Sequence, residues 1–222
     1  MERTATSGKV ADAGTCPWWH SRVVDVELAQ AVRNNACWCD HVCREQGIQT
    51  AWLPSAWIAR RRTPPFYPDA VTLVREVDPE TVLAAVDAGP GCSIKDSFAD
   101  LDLLPYGFRV LFEAEWIYQS ALVRHSEHQR SEEGARLSIA GGSVIANRSD
   151  AVVALSNLVV AAGAAEQGWR DAVRAVGEAY PGRDLVGYER AEDLPAARSA
   201  GFRTIGPLRI WIKDGSTSID PS

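Results

Sequence analysis

Three cysteines and a histidine fall within seven residues in the stretch NNACWCDHVCREQG (34–47). Such a set can bind zinc or supply a thiolate nucleophile. Spacing limits both options. On a helix of 3.6 residues per turn, positions two apart point about 200° away from each other, so Cys37 and Cys39 cannot share a metal while both stay helical. Cys39 and Cys43 share a face, as do Cys37 and His41, but neither pair supplies four ligands, and no C-x2-C pair elsewhere completes a structural zinc site. The pattern reads as a buried stripe of Leu28, Val32, Ala36, Cys39 and Cys43, with the thiols acting as small hydrophobes and Asp40 and His41 facing outward. No metal is expected, and no base is spaced to activate a cysteine nucleophile.

Other polar groups offer acid–base or recognition chemistry. In YGFRVLFEAEWIYQS (106–120), strand alternation puts Glu113 and Glu115 on one face and Val110, Phe112, Ala114, Trp116 and Tyr118 on the other. A carboxylate raised in pKa by burial would take a proton from an ammonium acceptor, directly or through water; a solvent-facing strand edge is the plainer reading. CSIKDSFADLDLLP (92–105) concentrates Lys95, Asp96 and Ser97, which with Trp52, Trp57 and Tyr67 would recognise a small cationic or polar acceptor. The same Asp and Ser residues would equally serve as helix and turn caps. ARRRTPP (59–65) brings Arg60, Arg61 and Arg62 together as the candidate basic patch in a chain of net charge -6 and pI about 5.3. That balance gives no overall attraction to a phosphate backbone, so the patch is either a local phosphate contact or a solvated loop before a proline turn.

The elements that must position these residues follow from periodicity. Val26 to about Gln46 is helical in spacing, with Gly47 as its stop. The stretch 50–70, rich in prolines and aromatics, reads as an ordered loop over a pocket mouth. AVTLV (70–74) is a strand, and DPETVLAAVDAGPG (78–91) a short helix with Asp78 as cap, Pro79 in its first turn and Gly89 at its end. GGSVIANRSDAVVALSNLVV (141–160) forms two strands joined at NRSD. A helix on Trp169, Val173, Val176 and Tyr180 follows, then a short buried strand (184–189), a helix ended by Gly201, and a last strand, PLRIWI (207–212). No internal repeat is evident.

The order from Val144 onward resembles the GNAT superfamily of N-acetyltransferases. The residues carrying the resemblance are LSNLVV (155–160) leading directly into a helix, LVGYE (185–189), and the helix-Gly-Phe-strand ending ARSAGFRTIGPLRIWI (197–212). The resemblance implies an α/β fold with a mixed, mostly antiparallel central sheet flanked by helices. It also implies a donor loop at the start of the helix AAEQGWRDAVRAVGEAY (164–180), where free N–H groups and the helix dipole favour phosphate, and an active cleft where two strands part. Gly163, Gln167 and Gly168 fall in that loop, but AAGAAEQGWRDA (161–172) departs from the family's Gln/Arg-x-x-Gly-x-Gly/Ala spacing and adds Glu166. Many members place a general-acid Tyr four residues before the Gly of the GF ending; here Ala197 stands there. Tyr188 and Glu189, at the cleft by this alignment, are the candidates to replace it, although the Tyr188 ring would serve equally to cap the core. Asn157 is a candidate to hold the donor carbonyl.

These readings point to an amide-forming N-acyltransferase acting on a small amine, with specialised metabolism as the expected setting. The donor is acyl-CoA, a co-substrate rather than a tightly bound cofactor, through a remodelled loop, or an aminoacyl-tRNA, which would use Arg60, Arg61 and Arg62. A non-catalytic GNAT-like small-molecule binder is the competing reading. Residues 1–20 read as a tail docking at Trp18 and Trp19, and 21–222 as one domain, with acceptor-side elements over 21–140 and the family-like core over 141–214. With no apolar stretch of about 18 residues, no signal-peptide core and an odd set of five cysteines, a cytoplasmic protein with reduced thiols and no membrane partner is expected. A homodimer is compatible with this reading, though no residue pattern specifies one.

Overall fold

The computed structural model describes residues 18–121 and 134–214. The amino-terminal half runs α1 (Trp18–Glu45), β1 (Thr50–Trp52), β2 (Ala56–Ala59), β3 (Ala70–Thr72), α2 (Pro79–Leu83), β4 (Ser93–Asp96), a 3-10 turn (Leu104–Tyr106) and β5 (Phe108–Gln119). The carboxy-terminal half runs β6 (Gly134–Ile139), β7 (Gly142–Arg148), β8 (Val152–Val159), α3 (Ala165–Ala179), β9 (Asp184–Glu189), α4 (Leu194–Ser199) and β10 (Arg203–Lys213). The ten strands of the described residues join one sheet in the order β1-β2-β3-β4-β10-β5-β9-β8-β7-β6. Every neighbouring pair is antiparallel except β3 with β4 and β8 with β9. This is the mixed, mostly antiparallel α/β sheet expected from the sequence.

The two halves repeat one plan. Each lays down a three-strand meander, a helix, a strand parallel to the third, a helical turn closed by a glycine with positive φ, and a long strand. The long strands are exchanged. β5 pairs with β9 of the other half, β10 pairs with β4, and β5 and β10 run antiparallel to each other at the centre. No repeat is evident in the sequence as a whole, yet Gly-Phe-Arg stands at both equivalent corners, 107–109 and 201–203, and Asp-Ala-Val at the start of β3 (69–71) and of β8 (150–152). The left-handed φ of Gly107 (76°) and Gly201 (100°) is the conformation that reverses each turn into its strand.

α1 crosses one face of the sheet. Its stripe of Leu28, Val32, Ala36, Cys39 and Cys43 is fully buried against Trp57, Val71, Ala114, Trp116, Leu208 and Ile210, each large side chain contributing about 1.5–3 kcal/mol of apolar burial. Asp40 corrects the expected outward orientation: it is buried at 6% exposure and accepts hydrogen bonds from Trp57 Nε1 at 2.9 Å and from the Thr50 hydroxyl. α3 and α4 cover the other face of the carboxy-terminal half, with Trp169, Val173, Val176 and Tyr180 buried as the spacing predicts. α2 and the 98–108 segment cover that face of the amino-terminal half.

Local signals explain most elements. Asp78 caps α2, accepting from the N–H groups of Glu80 and Thr81, and Pro79 occupies the first helical position, but the helix stops at Leu83 rather than at Gly89. The proline-rich 50–70 stretch, expected to be loop throughout, contains the β1-β2 hairpin, and 92–105 opens with the buried strand β4. A register shift beside Leu111 turns Val110 onto the opposite face from Phe112, where it packs with Trp211 and Phe108. Among the described residues no helix is long and apolar enough to cross a membrane.

Candidate functional site

The chemistry-bearing residues are arranged around a fork in the sheet. β8 and β9 pair in parallel over Val152↔Asp184, Val153↔Leu185 and Ala154↔Val186, and the ladder goes no further. Beyond it β8 continues to Val159 and β9 to Glu189. A non-glycine residue with left-handed backbone, Asn157 at φ 49°, sits in the free part of β8, where the β7-β8 register also shifts. Bulges of this kind bend a strand away from its neighbour. At the parting point Gly187 carries no side chain; a Cβ there would stand 3.1 Å from the Leu155 carbonyl oxygen.

On the α1 side the fork opens into a cleft of about 810 Å3, lined by Asn157 and Tyr188 from the parted strands, Leu111, Phe112 and Ile210 from the central pair, Lys95 from β4, and the 62–69 loop with Tyr67 as roof. Tyr188 meets Trp116 edge-on, with ring centroids 5.5 Å apart and planes at 77°. Lys95 is buried at 2% exposure; its Nζ donates to Asn35 Oδ1 at 2.8 Å and lies 4.0 Å from the centroid of the Tyr188 ring. Arg190 stacks on the Phe112 ring at 4.1 Å.

On the opposite face, the one covered by α3 and α4, Glu189 and Glu115 are direct cross-strand partners. Burial, assisted by the nearby Asp193 carboxylate, pushes the Glu189 carboxyl up to about 7. Such a group carries its proton over part of the neutral range and can give it up. The four residues expected to be catalytic are therefore divided by the sheet. Tyr188 faces the cleft; Glu189, Glu115 and Glu113 lie on the other side, with Glu113 exposed and paired with Arg209 at 2.9 Å. Glu113 and Glu115 do not reach the cleft.

The equivalent fork between β3 and β4 is sealed. The Thr72 hydroxyl accepts from the Ser97 N–H at 2.9 Å, and the Ser97 carbonyl accepts from Trp116 Nε1 at 2.9 Å. Asp96, fully buried, gathers the N–H groups of Phe98, Asp100 and Leu101; burial raises its carboxyl, against the lowering effect of those amides. Asp96 and Ser97 thus close a loop rather than line the cleft, the capping role the sequence also allows.

The remaining expected residues are scattered. Trp57 is entirely buried in the core beneath α1, and Trp52 lies on β1 with the Arg33 guanidinium over its ring at 5.3 Å; neither borders the cleft. Arg62 borders it as a strut, paired with buried Asp69 at 2.6 Å and donating to the carbonyls of Asp87, Gly89 and Pro90. Arg61 donates to the Gly47 carbonyl, and Arg60 is exposed beside it. Gly163 (φ 78°) turns the chain into α3, whose Ala164 cap makes no side-chain hydrogen bond, leaving the first helical N–H groups open. Gln167 accepts from Arg170 on the exposed face, and Gly168 packs on Val160, where a Cβ would stand 2.2 Å from Cγ1. Glu166 pairs with Arg170 at 3.6 Å.

Among the described residues no three His, Cys, Asp or Glu side chains stand close enough to share a metal ion. Burial pushes the Cys39 thiol up to about 12 and that of Cys43 up to about 11, the opposite of nucleophile activation. Sequence reasoning missed Asn35 and Arg190. Asn35 stands one turn before Cys39 on the same helix face, which was the available signal; Arg190 follows Glu189 directly. A second concavity, of about 750 Å3 between α3 and α4, is lined by Arg170, Tyr180 and Leu185 but by none of the expected site residues.

No family model and no curated protein sequence matches the chain. Among solved structures, a crystal structure from Novosphingobium aromaticivorans described as an acetyltransferase of the GNAT family is similar at 12% identity and a TM-score of 0.44, over 83% of this chain and 97% of that one. At that distance the chemistry has to come from this chain's own residues.

Proposed function

We propose that the protein is an N-acyltransferase that forms an amide by moving an acyl group from a thioester carrier, acyl-CoA, to a small amine at the β8-β9 fork. One arrangement supports the reading: at the fork an aromatic-lined cleft stands on one face of the sheet, and on the other face the next residue of β9 is Glu189, whose carboxyl burial pushes up to about 7. α3 packs on the Glu189 face, so a carrier whose phosphates meet the open N–H groups at the start of α3 approaches from that side. The acceptor occupies the Tyr188 cleft.

The amine nitrogen attacks the thioester carbonyl in the fork, where N–H groups released from the β8-β9 ladder stabilise the oxyanion. The tetrahedral intermediate then collapses, breaking the carbon–sulfur bond. The Glu189 carboxyl gives its proton to the departing thiolate, and the new amide sheds its extra proton to water in the cleft. Glu189 so takes the role that Ala197, fully buried in α4, cannot fill. An aminoacyl-tRNA donor is disfavoured, because Arg61 and Arg62 are engaged with backbone carbonyls and Asp69 rather than presented to a phosphate chain.

The test is release of free thiol from acetyl-CoA in the presence of a panel of primary amines. The wild type should release thiol with at least one amine, and Glu189→Gln should lower kcat by about 10²–10⁴. Equal rates for the two proteins would remove Glu189 from the mechanism. No amine-dependent release would favour a non-catalytic binder.

A further inference from the structure

Five directly paired positions cross the sheet beneath α1: Trp57 with Val71, Val71 with Lys95, Lys95 with Ile210, and Ile210 with Phe112. Four of the five are apolar. Alternation and burial at the middle position call for a valine or isoleucine; the corresponding strand of the other half places Val186 against the same helix face. An ammonium there is costly unless it meets an anion. Among the described residues no carboxylate lies within ion-pair distance of Lys95, whose neighbours are the Asn35 amide, the Tyr188 and Trp116 rings, and the Cys39 thiol, held neutral by burial.

The cleft that Lys95 floors is cationic inside an acidic protein. Of its lining residues Arg62, Lys95 and Arg190 are cations and Asp69 is the carboxylate; Arg62 and Asp69 offset each other as an ion pair and Arg190 has Glu192 at 4.0 Å, which leaves Lys95 as the lining cation without an acidic partner among the described residues. Asp69 is already consumed, accepting from Arg62 at 2.6 Å and from the N–H groups of Thr63 and Ser93 at 2.8 and 2.9 Å. Against a net charge of -6 for the whole chain, low-dielectric walls focus this local positive potential on whatever enters. A phosphate dianion would need several convergent donors. One point charge on a four-carbon stem beside a single amide matches a monoanion.

We infer that Lys95 is the anchor for a carboxylate on the acceptor, so that the substrate class is an amine that also bears a carboxylate, such as an amino acid, rather than a simple cationic amine. This rests on the acyltransferase reading for the amine but not for the anion. Entry of the carboxylate converts a buried unpaired ammonium into an ion pair, and the amine at the other end of the molecule is left toward Tyr188 and Asn157 at the fork.

The experiment is a binding titration, so it does not depend on turnover. Amino acids with aliphatic and aromatic side chains are titrated by calorimetry beside their carboxamides and their decarboxylated amines, into wild type, Lys95→Met and Glu189→Gln. At least one acid should bind wild type 10-fold or more tighter than its amide. That preference should vanish in Lys95→Met, which should melt no lower than wild type, and persist in Glu189→Gln. Amides binding as well as acids, an unchanged preference in Lys95→Met, equal binding of inorganic phosphate, or no binding by any member would overturn the inference. Acid-selective binding without thiol release would leave the anion site standing and remove the transferase.

Discussion

Glu189 holds its proton because the strand end buries it where the Asp193 carboxylate also disfavours charge. Its folded-state value, about 7, lies above the ordinary 4.5, so the folded protein retains a proton that the unfolded chain releases between those values. The stabilisation from this group is fully present below about 4.5 and is lost as pH rises through about 7. Glu189→Gln should therefore melt higher than wild type in mildly alkaline buffer, by on the order of 2 kcal/mol, with the two melting curves converging toward the acid side of that window. A constant difference at all pH values would mean the carboxyl is not perturbed. Asp40 is a buried acidic side chain with hydrogen-bond partners. Asp40→Ala orphans Trp57 Nε1 and the Thr50 hydroxyl, and should cost about 2–4 kcal/mol in denaturant unfolding. Asp40→Asn, which keeps an acceptor, should cost less; equal losses would show that charge rather than hydrogen bonding matters there.

At the scale of elements, the long and strongly patterned ones were legible: α1, α3, β5, the β7-β8 hairpin and β9 follow from periodicity and turn residues. β6, in a stretch given no element, was not, nor were the short strands β1, β2 and β4. They are three or four residues long, and β2 and most of β4 are buried on both faces, so they show no alternation. Val110 was misassigned because the bulge beside Leu111 depends on pairing with β10, a contact no local pattern encodes. Of the candidate site residues, Tyr188, Glu189, Asn157, Lys95 and Tyr67 border the fork or its cleft, whereas Trp52, Trp57, Asp96 and Ser97 are placed elsewhere by pairings that local pattern does not encode. Gly168 gives an element-scale prediction. Its Cα abuts Val160 at the end of β8, so Gly168→Ala should destabilise by about 1–2 kcal/mol despite the better helix propensity of alanine. Adding Val160→Ala should recover most of that loss in thermal melts. No recovery would mean that the glycine is required for something other than packing.

For the whole molecule, the exchange of β5 and β10 means that neither half completes a sheet alone. β9 needs β5, and β4 needs β10. A chain cut between Ala121 and Gly134 should give two fragments that are unfolded apart and regain native circular dichroism when mixed; a fragment folding alone would contradict the exchanged topology. The shared plan also carries an asymmetry. The amino-terminal fork is closed by Thr72, Ser97 and Trp116, so among the described residues the carboxy-terminal fork opens and its counterpart does not. Thr72→Val should lower stability by about 1–2 kcal/mol and leave kcat unchanged, as judged by thiol release; a large kcat effect would mean that the sealed fork takes part. The most direct test of the central claim is the dependence of the rate on the thioester's leaving group. If Glu189 protonates the departing thiolate at the carboxy-terminal fork, wild type should be nearly insensitive to the thiol's pKa, while Glu189→Gln should slow steeply with poor leaving groups and recover toward wild type with an aryl thioester. Parallel dependences in the two proteins would contradict it.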